Sequence, residues 1–123
     1  MKKKLFAATL LAIVPLAAAN AMDVATFLAK ADALQKKGMM ALMSSDYKLL
    51  KNEILAQSKL LRAERLTAQR AGRKPAYCPP ANQRLGSNEL LAAFRTIPVA
   101  QRPRVQVGDA LRAFLARKYP CRA

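Results

Sequence analysis

Cys78 and Cys121 are the side chains of this 123-residue sequence whose type and placement offer chemistry. Each stands beside proline, in Tyr77-Cys78-Pro79-Pro80 and in Tyr119-Pro120-Cys121, and the residues between them read as two short helices. In an oxidising compartment such a pair forms a disulfide. Two free thiols, or bridges between chains, are the competing states. Two antiparallel helices joined by a short turn would bring Cys121 back to the level of Cys78, which favours the internal bridge. It would close a loop of about 44 residues, for which chain entropy alone gives on the order of 4 kcal/mol. There is no C-x-x-C spacing, so thiol exchange is not the expected chemistry.

Other chemistry finds little footing. Histidine and tryptophan are absent. Neither a Ser-His-Asp nor a Cys-His arrangement can therefore be built, and two cysteines are too few for a thiolate zinc site. The acids Asp23, Asp32, Asp46, Glu53, Glu64, Glu89 and Asp109 are scattered, with no D-x-D or E-x-x-E grouping. Four dispersed glycines make no phosphate loop. The sequence thus offers no candidate catalytic, metal-ligating or cofactor-binding residue. The expectation is a protein that is not an enzyme, needs no cofactor, and acts through its surface.

The compartment in which the cysteines would oxidise is indicated by the N-terminus. Lys2-Lys3-Lys4 forms a positive start, residues 5–16 are an apolar run, and Ala19-Asn20-Ala21 supplies small residues at a cleavage site. This is the pattern of a secretory signal peptide over residues 1–21, cut after Ala21 to leave Met22 first. The apolar run is shorter than the roughly 20 residues that a membrane anchor needs. In a Gram-negative cell the product would be periplasmic. The remaining residues, 22–123, are expected to form a single helical domain. The leader holds three of the 22 basic residues and none of the seven acids, so residues 22–123 carry 19 cations against 7 acids, a net charge of +12. Inside a cell that balance would suggest nucleic acid. Outside it, nucleic acid is not expected, and an acidic protein or an anionic envelope surface is the natural counterpart. A well-solvated basic surface with no specific partner is the plain alternative.

The elements that would position the cysteines are helical throughout. Asp23 can cap a helix whose stripe is Val24, Phe27, Leu28, Ala31 and Leu34, with Lys36-Lys37-Gly38 as its stop. Met39-Met40-Ala41-Leu42-Met43 reads as a short turn whose thioethers fill a gap in the core. The alternative is a flexible surface for a partner's apolar face. Ser44 or Ser45 can cap a long helix over 46–71, ended by Gly72. Tyr47, Leu50, Ile54, Leu61 and Ala68 lie on one face of it. Leu49 and Leu60 lie nearly opposite, which calls for either a sandwiched helix or a second subunit. Lys48, Lys51, Lys59, Arg62, Arg65 and Arg70 outnumber its two glutamates. A proline-rich connector follows over 73–86. Ser87 can cap a helix over 88–96, with Leu90, Leu91 and Phe94 inward. A last helix over 105–118 carries Val107, Leu111, Phe114 and Leu115, and Pro120 stops it. The fold class expected is all-α: a small bundle of about four helices with one intrachain disulfide.

The second half also resembles a known family. Cys78 and Pro80 open it, Leu90 and Phe94 lead to Pro98, and Ala110-Leu111 precedes the closing Tyr119-Pro120-Cys121. Over about residues 78–121 this pattern is similar to the Rap/Tai-type immunity proteins of type VI secretion systems. The resemblance implies a small exported helical protein, often a homodimer, that binds a peptidoglycan amidase effector delivered into the periplasm and blocks its active site. It singles out no partner-binding residue. Two other functions fit the composition: a periplasmic stress or chaperone-like protein holding unfolded clients, and a basic helical module that docks on the envelope.

Overall fold

The Asp23 carboxylate accepts the Thr26 backbone N–H at 2.8 Å and the Thr26 hydroxyl at 2.8 Å, and so starts the first helix as an N-cap should. The computed structural model describes residues 21–122. All but the last residue of the expected leader therefore lies outside the described residues. Four α-helices form: α1 (Val24–Lys37), α2 (Ser45–Arg70), α3 (Ser87–Arg95) and α4 (Val107–Lys118). A 3-10 segment, Gly38–Met43, joins α1 to α2, and a 3-10 turn, Arg102–Arg104, precedes α4. The all-α class expected from the pattern is what the chain adopts. No strand forms among the described residues beyond one isolated antiparallel bridge.

The helix ends follow their sequence signals except at the starts of α3 and α4; α4 begins at Val107, two residues later than expected, because Val105 is extended after the Arg102–Arg104 turn. Gly38 and Gly72 take φ of +58° and +68°, the left-handed region that glycine enters at no steric cost. Ser44 caps α2, its hydroxyl accepting the Asp46 N–H at 3.3 Å. At α3, Ser87 is already inside the helix. Gly86 takes the capping place, and no side chain bonds the helix end.

The core is one cluster to which every helix contributes. From α1 come Val24, Phe27, Leu28, Ala31 and Leu34, and from α2 Leu50 and Leu61. Leu90 and Phe94 of α3 join Val107, Ala110, Leu111, Phe114 and Leu115 of α4. The rings of Phe27 and Phe94 meet edge to face at 5.4 Å, an arrangement aromatic quadrupoles favour. The α1 stripe is buried as its spacing requires. Along α2 only Leu50 and Leu61 are fully buried; Ile54 and Ala68 are half-buried and Tyr47 is exposed. Leu49 and Leu60 are exposed too, so α2 is not sandwiched between helices of its own chain.

Two devices tie the segments that flank α1 and α4 to the bundle. Val24 N–H donates to Val105 C=O, and Val107 N–H donates to Met22 C=O, both at 2.9 Å. These clip the start of α1 to the start of α4. At the other end of α4, Cys78 and Cys121 form a disulfide, and the Cys78 N–H donates to Tyr119 C=O at 2.8 Å. Beside the bridge Tyr77 is buried, which fixes the middle of the proline connector against the core.

Candidate functional site

Charge placement decides what the surface can offer a partner. Each of the seven acids is engaged within the chain. Asp23 caps α1. Asp32 accepts from Arg95 at 2.8 Å, joining α1 to α3, and Asp46 from Lys30 at 3.1 Å, joining α2 to α1. Glu64 takes a two-pronged contact from Arg112, at 2.9 and 3.2 Å, which joins α2 to α4. Asp109 also accepts from Arg112, Glu89 accepts from Lys118 at 2.6 Å, and Glu53 accepts from Gln57. Exposed pairs of this kind contribute about 0–1 kcal/mol each. Their larger consequence is that five of the seven acids are neutralised by cations of the same chain, so the surplus presented outward is positive.

The same contacts set the titration of three groups. The Thr26 backbone N–H holds the Asp23 carboxyl below the ordinary carboxylate value. The hydrogen bond to Glu64 raises Arg112, and the bond to Glu89 raises Lys118. None of these groups lies in a cleft, so they stabilise helix ends and contacts without suggesting proton transfer. Among the described residues, no three His, Cys, Asp or Glu side chains approach closely enough to hold a metal ion, and no helix is long and apolar enough to cross a membrane.

Two concavities stand out among the described residues. The first is an open apolar groove of about 510 Å³ between α1, the Gly38–Met43 segment, the first half of α2 and the start of α3. Phe27, Ala31, Leu34, Leu50, Ile54 and Leu90 line it, and Gln35, Lys51 and Asn88 supply its polar edge. Lys30–Asp46 pins the start of α2 to α1. The 3-10 segment contributes Gly38 and Ala41 to the groove and carries the methionines beside it. Met39 is 85 % exposed and Met43 81 %, with Met40 and Leu42 also exposed. The core-filling role expected for this cluster is therefore not the one it takes. The segment is a tight six-residue turn held at the edge of the bundle, and half-buried Ala41 is the residue that packs against the core. Leu55, 51 % exposed, extends the apolar surface on the α2 side.

The second concavity is a polar notch of about 450 Å³ between the middle of α2 and the proline connector. Arg62 and Arg65 stand on one side, Tyr77, Pro79 and Pro80 on the other. The Arg65 guanidinium lies over the Tyr77 ring, 5.6 Å from its centroid, a cation–π contact. No periodic pattern marks Tyr77, a lone aromatic in a connector, so its role as the wall between α2 and α4 was missed by sequence reasoning. Its place next to a bridged cysteine was the available signal.

Cys78 and Cys121, the site residues named from sequence, are brought together. The basic residues of α2 divide. Lys48, Lys51, Lys59, Arg62 and Arg70 are exposed, whereas Arg65 is half-buried against the connector. Comparison with protein-family models, with curated proteins and with solved structures finds no match for this chain.

Proposed function

We propose that this chain is an exported, periplasmic binding protein that inhibits a protein partner by steric block, in the manner of the immunity proteins its second half resembles, with a type VI secreted peptidoglycan amidase as the partner class. The observation that carries this reading is the apolar groove bordered by exposed methionines. Contiguous apolar surface of that kind on a folded chain marks an interaction site. Its occupant is an apolar protrusion on an acidic protein. The groove edge and the adjacent face of α2 bear Lys48 and Lys51, which would attract such a partner. The charge would speed encounter, and a few buried anchors in the groove would set the affinity. The disulfide keeps the supporting hairpin rigid, which lowers the ordering cost of binding.

The test adds the oxidised protein to an envelope extract with measurable amidase activity on peptidoglycan, at moderate salt. Stoichiometric inhibition, with one hydrolase recovered in complex, is the expected result. Unchanged amidase activity would reject the immunity reading. The exposed methionines also favour a second reading, a chaperone-like protein that holds unfolded clients. Binding to several unrelated unfolded proteins with no inhibition would select it.

A further inference from the structure

Arg62 and Arg65 are three residues apart on α2, on adjacent turns of one face. Both line the notch opposite Tyr77, Pro79 and Pro80. Neither takes part in an ion pair among the described residues, although five of the acids are paired with other cations. The Arg65 Nε is buried and has no acceptor. The Tyr77 ring, 5.6 Å from the Arg65 guanidinium, holds that head group at the notch, and the disulfide at Cys78 anchors the Pro79–Pro80 wall facing it. Ser58 and Gln83 add neutral polar groups to the lining, and Leu115 adds an apolar one.

We propose that this notch is a binding site for a single carboxylate group. A guanidinium offers parallel N–H donors that match the two coplanar oxygens of a carboxylate. Arg65 supplies the fork through its two terminal Nη groups, and Arg62 supplies a second positive charge from the adjacent turn. The proline and leucine walls accommodate the short apolar stem that carries the group. The site lies apart from the groove and does not rest on the function proposed above. Its ligand is either a small free acid or an acidic side chain of a polypeptide.

The test is an NMR titration of the oxidised protein, following the arginine Nε–Hε resonances at constant ionic strength maintained with chloride. Sodium acetate represents a small acid, and glutamate capped at both ends represents a polypeptide side chain. Saturable movement of the Arg65 signal is expected, weakened at least tenfold in Arg62→Gln. Tighter binding of acetate assigns the site to small acids, and tighter binding of capped glutamate assigns it to a polypeptide. Sodium phosphate should compete more weakly than either. The proposal is overturned if all arginine signals drift together, if chloride alone produces the shift, if Arg62→Gln leaves binding unchanged, or if phosphate saturates the site first. Arg65→Lys keeps the cation on Tyr77 but removes the fork, so a folded Arg65→Lys protein that binds acetate as tightly as the parent would also overturn it.

Discussion

Removing the bridge between Cys78 and Cys121 should cost this domain about 4 kcal/mol, and the cost should arise in the unfolded chain. The two residues are 43 positions apart. Cross-linking a loop of that length removes about 13 cal/mol/K of chain entropy from the unfolded ensemble, or about 4 kcal/mol at 25 °C. The native contacts near the bridge do not depend on the sulfurs. Tyr77 stays buried, Cys78 N–H still donates to Tyr119 C=O, and the core behind them is built by Phe94, Leu111 and Leu115. A Cys78→Ser/Cys121→Ser double variant should therefore fold to the same helix content at low temperature. Its loss would show as instability, since 4 kcal/mol is a large share of the 5–15 kcal/mol typical of a domain. For a domain of about 100 residues the corresponding fall in Tm is roughly 15–30 °C.

Urea unfolding followed by circular dichroism is the assay, with the oxidised parent, each single serine variant and the double variant compared. The three variants should lose the same amount, because one missing sulfur opens the loop as completely as two. A loss below about 1 kcal/mol in the double variant would refute the reasoning, since the native contacts would then have to hold the hairpin equally closed in the unfolded chain. Loss of helix content in water would refute it from the other side, by showing that the bridge shapes the folded state.

Three further outcomes follow from particular side chains. Phe94→Ala should cost about 3–5 kcal/mol in the same unfolding assay, because Phe94 is fully buried and meets Phe27 edge to face. Asp23→Ala should cost about 1 kcal/mol at neutral pH by loss of the cap. Because the folded-state value of Asp23 is depressed, its contribution is present above the ordinary carboxylate pKa and is lost as pH falls through the lowered value. The gap between parent and variant should therefore close on acidification below about pH 4. Leu55→Glu, at an exposed position on the groove, should leave stability within about 0.5 kcal/mol but weaken the proposed complex tenfold or more, measured by calorimetry with any hydrolase recovered in the test above.

What could be read in advance depended on whether a local signal decided the outcome. Asp23 before an apolar stripe, Ser44 before α2, and Gly38 and Gly72 after helices are local choices with local consequences, and each sits where its chemistry placed it. The α1 stripe was equally legible, because five apolar residues at helical spacing leave one face to bury. Tertiary context decided the rest. The methionines at 39, 40 and 43 suit a core gap or an outer edge equally well, and the tight turn after Gly38 sets them on the edge. Ser87 is a good cap by type, but the chain enters α3 one residue earlier and leaves that place to Gly86. The clip between Met22–Val24 and Val105–Val107 uses backbone groups alone, so no side-chain pattern announces it. For the candidate site, the cysteine pair was legible from residue type and from the proline-flanked spacing of the two residues. The notch was not, because it needs Tyr77 folded back under Arg65.

The bridge and the notch are coupled through the connector between them. Cys78 is covalently held to the end of α4, Tyr77 before it is buried, and Pro79-Pro80 after it forms the wall opposite Arg62 and Arg65. Proline fixes φ, so the stretch from Tyr77 to Pro80 has few ways to move once its first two residues are anchored. Opening the disulfide frees one anchor and leaves the buried ring of Tyr77 as the other. The Arg65 stack should then persist while the proline wall loosens, so the site would keep its charge and lose its shape. Charge without shape still attracts anions, but it no longer selects a planar carboxylate over a phosphate. Selectivity between those two anions should therefore fall on reduction, while total anion binding changes much less.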